Sequence, residues 1–137
     1  MTPRVNRAAL WLSVAIGLVV GLWAVAAPRS FYDSFPGLGR TWVADDGPFN
    51  EHLIRDVGAL YLALGGASLA SLRTLDTRVA GVAWTVFGVL HLGYHGAHLG
   101  DMETVDAVGN VVTLGLSLAV GILLLVPVRQ RSEEVTR

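Results

Sequence analysis

Three histidines, His91, His95 and His98, fall within one short stretch late in an apolar segment, spaced four and three residues apart. A fourth, His52, opens another apolar segment and is followed by Arg55 and Asp56, with Glu51 just before it. Neutral imidazole binds zinc, iron or copper, and carboxylates complete such shells. Histidines four apart on a helix can converge on one ion. The spacing therefore nominates His91 and His95 as a metal pair, with His52 or Asp56 supplying a further ligand. Asp101 or Glu51 would orient a ligand or act as a base. Arg55 stays protonated and so pairs with a carboxylate rather than a metal. HxxxHxxH is not a specific fingerprint, and the HExxH pattern of zinc proteases is absent.

The chemistry needs elements that bring these residues together. Of 137 residues, 53% are hydrophobic and 15% charged. A water-soluble domain carries about 25% charged residues, so much of this surface faces something other than water. Four stretches reach the roughly 20 apolar residues that a helix needs to cross a bilayer: 8–27, 53–72, 79–99 and 105–126. The expected fold is all-α, a four-helix transmembrane bundle forming a single integral membrane domain over 1–137, with 28–50 as an outer loop. Pro28 and Pro127 follow the first and last stretches, where helices commonly stop. Asn50 is the expected cap of the second helix, Asp76 or Thr77 of the third and Thr104 of the fourth.

Parity of the spans then assembles the site. The second helix runs inward, the third outward and the fourth inward, so Glu51, His52, Arg55, Asp56, His91, His95, His98, Asp106 and Asn110 are expected at one membrane depth. Asp106, Asn110, Thr113 and Ser117 form a polar stripe, and polar faces in lipid turn inward. His98 also fits a simple interfacial residue, and Arg55 with Asp56 a structural ion pair. Asn110 also fits an interhelical hydrogen bond. Asp45 and Asp46 read as a solvated turn with Gly47 and Pro48, and Trp11 and Trp84 as belt residues near the cytoplasmic ends.

Arginines set orientation. Arg4, Arg7, Arg73, Arg78, Arg129, Arg131 and Arg137 fall on one side of a four-span chain, which places both termini in the cytoplasm of a multi-pass protein of the cell (plasma) membrane. A cleaved signal over 1–26 is the rival reading of the first span. Small residues recur at helical spacing, namely Ser13, Gly17 and Gly21, then Gly58, Gly65, Gly66 and Ala70, then Gly109, Gly115 and Gly121. They let helix backbones approach closely, within one chain or in a homo-oligomer or with another membrane protein. A net charge of −1 argues against nucleic acid. The absence of cysteine removes disulfides, thiolate metal sites and a cysteine nucleophile.

The segments FYDSFPG, GPFNEHLIRDVGALYLALG and HLGYHGAHL resemble a group of small four-span membrane proteins of actinobacteria with no assigned activity. The bundle size is also similar, more weakly, to that of DoxX-like membrane proteins. The resemblance covers most of 28–100 and implies a four-helix membrane bundle in which NEHLIRD and HxxxHxxH belong together; it carries no catalytic residue. Three functions stay open: a membrane protein with an outer-leaflet His/Asp/Arg cluster that binds metal, a structural or accessory subunit, and a carrier of protons or a small solute. Whether the chain is an enzyme is not settled by its residues.

Overall fold

Long apolar runs without an internal proline favour unbroken helices, because lipid leaves no other partner for the backbone amides and carbonyls. The computed structural model, which describes residues 2–74 and 76–126, bears this out with four long helices. These are α1 (Pro3–Ala26), α4 (Glu51–Thr74), α5 (Arg78–Ala97) and α6 (Thr104–Leu125). The segment expected as an irregular outer loop holds two short helices, α2 (Pro28–Ser34) and α3 (Trp42–Asp45). Pro28 ends α1 and takes the first position of α2, where its missing amide costs nothing. Pro127, Arg129, Arg131 and Arg137 lie outside the described residues, and for Asp101 only the backbone is described.

Three helices, α1, α4 and α6, are long and apolar enough to cross a membrane, which makes the chain a multi-pass membrane protein by length and composition. The expected fourth span, α5, is not among them. Arg78, His91, His95 and four glycines dilute its apolar content.

Asn50 caps α4 as expected, its side-chain oxygen accepting from the Leu53 amide at 3.1 Å. Thr77 stands at the N-cap position of α5, as expected, but its hydroxyl donates across to the Leu124 carbonyl of α6 while the Asp76 carboxylate accepts from the Arg78 amide. Glu103, not Thr104, is the N-cap of α6.

The long helices pack as two antiparallel pairs. In the first, a Cβ added at Gly17 would lie 2.7 Å from Gly65 Cα and from the Tyr61 carbonyl oxygen, and one at Gly21 2.9 Å from the Gly58 carbonyl oxygen. Residue numbers rise on α1 as they fall on α4, and the backbones touch. In the second pair Gly81 meets Leu124, Gly88 meets Leu118 and Gly121 meets Thr85, so α5 and α6 also run antiparallel. Gly66 and Gly115 meet nothing, so not every glycine of the small-residue pattern serves packing.

The pairs join through their Arg73–Arg78 end. Leu10, Leu64, Trp84 and Leu124 form the core there, and Tyr61 sets its ring edge-on to Trp84 and Phe87. Trp84, expected in an interfacial belt, is only 1% exposed. Its indole N–H donates to the Ser68 hydroxyl at 2.9 Å, and that hydroxyl in turn donates to the Leu64 carbonyl. Trp11 does face outward, 57% exposed. At the opposite end a second cluster of Ala24, Phe31 and Ile54, with Trp23 and Phe35 against it, ties α2 to α1 and α4.

Candidate functional site: a cavity between the helix pairs

Because the pairs join at one end, they leave space at the other. A cavity of about 480 Å³ lies between them, within the usual range of 300–1,000 Å³ for small-molecule sites. Its walls are almost wholly apolar: Ile16 and Val20 of α1, Val57 and Tyr61 of α4, Leu114 and Val120 of α6. Phe31, Phe35, Trp42 and Val43 of the 28–50 segment roof it. Leu12, Leu53 and Leu116 also line it and are themselves 49%, 58% and 63% exposed. Lining side chains of α1, α4 and α6 thus reach the outer surface, toward the lipid that such exposed leucines meet in a membrane.

A few polar groups interrupt the apolar lining: His91 and His95 of α5, Asn110, Thr113 and Ser117 of α6, and Asp46 from the roof. His91 stacks on Phe87, the ring centroids 4.9 Å apart, and His95 meets His91 edge-on at the same separation. This packing fixes both imidazoles on the cavity side of α5. Asn110 is 2% exposed, and its side-chain amide makes no hydrogen bond among the described residues, whereas the neighbouring Thr113 hydroxyl is satisfied by the Gly109 carbonyl. The Asn110 amide lines the cavity and is free to bond there.

The roof is held by Asp106 in the first turn of α6. Trp42 Nε1 donates to Oδ1 at 2.7 Å and Arg40 Nη1 to Oδ2 at 3.2 Å. The Trp42 ring lies across α6 at Gly109, where an added Cβ would be 2.9 Å from the ring. Tyr32 donates to the Gly47 carbonyl at 2.7 Å, closing the segment on itself.

The residues expected to form one cluster divide. His91, His95 and Asn110 share the cavity. His52 and Asp56 do not: they pair with each other at 3.3 Å with side chains 87% and 62% exposed, and neither lines the cavity. Each lies two residues from Ile54, which faces inward. At about 100° per residue that puts both on the opposite side of α4. Arg55 pairs with Glu51 at 2.9 Å rather than with Asp56, and also donates to the Val25 carbonyl of α1. His98 ends α5 with its Nδ1 2.8 Å from the Tyr94 carbonyl oxygen. Asp106 serves the roof. Asp46 stands in an exposed turn after α3, as expected, and it also lines the cavity, because the fold of 28–50 brings it over α5.

Among the described residues no three His, Cys, Asp or Glu side chains come together to hold a metal ion. The metal site expected at His91, His95, His52 and Asp56 is not assembled: two imidazoles face the cavity and the other two ligands face away from it.

A family model described as a domain of unknown function (DUF4345) matches residues 5–96. Nothing among the curated proteins or the solved structures matches the chain. The match takes in α1 to α5 and leaves α6, which supplies Asn110 and one cavity wall, beyond it.

Proposed function

The chain belongs to the DUF4345 family, and from that premise we propose that it is a four-span membrane protein that binds a small lipophilic ligand in the cavity between its two helix pairs. The observation that carries this reading is the cavity itself, apolar along its walls, polar at a few points and flanked by leucines exposed on the outer surface. On this reading α5 crosses the bilayer with the other three long helices, since it packs against α6 from Gly81 to Gly88. Its histidines are tolerated because they face the cavity and not lipid. Both termini lie in the cytoplasm and the roof over 28–50 lies outside.

Retention of such a ligand is directly measurable. Native mass spectrometry of the full chain, released from mild detergent, should show an adduct of defined mass that organic solvent removes. Ile16→Trp projects an indole into the cavity and should lose the adduct while the far-ultraviolet circular dichroism stays helical. An adduct equally retained by that variant, or no adduct in any preparation, would remove the cavity from consideration as a binding site.

A further inference from the structure

The ligand reading above leaves open which end of the ligand is recognised and by what chemistry. We propose that the site selects a neutral lipid bearing a hydroxyl group, held among Asn110, the two cavity histidines and Asp46. The inference rests on the cavity as a ligand site and goes further by assigning its head group.

Charge decides first. The chain has no lysine, and none of its arginines lines the cavity, whose own basic groups are the His91 and His95 imidazoles. The three arginines nearest in sequence to the roof and its flanks are already committed: Arg29 to Asp33 at 2.8 Å, Arg40 to Asp106 and Glu103, Arg55 to Glu51. A phosphate, sulfate or carboxylate head would meet no permanently charged cation, and would meet the Asp46 carboxylate as well. Asp46 lines the cavity and makes no ion pair among the described residues. Anionic ligands are therefore excluded by repulsion and by desolvation without compensation.

Hydrogen-bonding capacity decides next. Asn110 offers two N–H donors and a carbonyl acceptor, neutral imidazole one donor and one acceptor, and an ionised carboxylate only acceptors. A hydroxyl is donor and acceptor at once, so it can give its proton to Asp46 and accept from Asn110 or an imidazole. A hydrocarbon with no head would leave the Asn110 amide unpaired. The tail would run along Ile16, Val20 and Val120 toward the exposed leucines Leu12 and Leu116.

The full chain in phosphatidylcholine nanodiscs tests this with diazirine-bearing sixteen-carbon probes, roughly the length that spans one leaflet, differing only at the head: hexadecanol, hexadecyl sulfate, hexadecyltrimethylammonium and plain hexadecane. Hexadecanol should label cavity-lining peptides of α5 and α6, and unlabelled hexadecanol should compete at about tenfold lower concentration than the sulfate. Asn110→Leu keeps the volume and removes the amide. It should weaken hexadecanol competition about tenfold, the loss of one buried hydrogen bond, with hexadecane labelling unchanged as the control for folding. Asp46→Asn lies on the exposed roof and should narrow the gap between alcohol and sulfate. Stronger competition by the sulfate or by the quaternary ammonium would overturn the proposal, as would an unaltered alcohol affinity in Asn110→Leu. Equal labelling of the cavity by hexadecane and hexadecanol would sink the head-group assignment and leave the lipophilic cavity standing. Labelling of outer surfaces alone would sink both.

Discussion

At Asp106 two donors converge from 64 and 66 residues earlier in the chain, the Trp42 indole and the Arg40 guanidinium. The Asp106 side chain is only 13% exposed, so the bonds are largely shielded from competing water, and hydrogen bonds to a charged group are worth roughly 1.5–3 kcal/mol. Asp106→Ala should therefore destabilise the protein by about 2 kcal/mol, seen as a lower midpoint of thermal unfolding in detergent. Asp106→Asn keeps an acceptor for Trp42 but loses the charge that holds Arg40, and should fall between the alanine variant and the native protein. Identical midpoints for all three would mean that the roof is held by its aromatic contacts alone. The spacing of Asp106 and Asn110 along one helix face was legible in the sequence. Their separation into a structural carboxylate and a cavity amide was not, because it depends on where a distant indole lands.

Helix packing exposes the same divide between what spacing says and what it leaves open. The recurrence of Gly17 and Gly21, and of Gly58 and Gly65, pointed to close backbone approach, and the structure places them face to face. Gly66 sits beside Gly65 in the sequence yet meets nothing. The two give opposite expectations. Gly17→Ala puts a Cβ 2.7 Å from backbone atoms of α4 that cannot yield, so α1 and α4 must separate, at a cost of about 1–3 kcal/mol. Gly66→Ala adds a methyl in open space and should be neutral, or stabilising by up to about 1 kcal/mol through helix propensity. Thermal unfolding of the two variants side by side checks the pairing; equal effects would show that the α1–α4 contact is looser than the structure has it. The same stripe explains the misplaced pair on α4. Gly58, Tyr61 and Gly65 define its inward face, and His52 and Asp56 are off that face by helical period. That signal was present in the sequence, but a four-residue spacing says only that two side chains share a side, not which side.

Across the whole molecule, ion pairs gather at the roof and cavity end and, among the described residues, the arginines without a carboxylate partner at the other. Antiparallel packing carries the Glu51 end of α4, the His95 end of α5 and the Asp106 end of α6 to the same end of the molecule as the 28–50 roof, as parity of the long helices required. Arg4, Arg7, Arg73 and Arg78 occupy the other end. If excess arginine marks the cytoplasmic side here, as in the orientation proposed above, the cavity's polar groups and its roof face outward, and a ligand arriving through lipid would meet them from the outer leaflet. Gly100 lies in the single 3-10 turn between α5 and α6 and has open space around it, and the chain has no cysteine of its own. A cysteine at Gly100 should thus be modified in intact cells by a membrane-impermeant maleimide, while one at Asp76, in the α4–α5 connection, should react only after lysis. The opposite pattern would turn the molecule over and put the cavity within reach of the cytoplasmic leaflet. Reaction of both from the same side would mean that α5, the long helix not among the three candidate spans, does not cross, and the cavity between the two helix pairs could not then exist in the membrane as described.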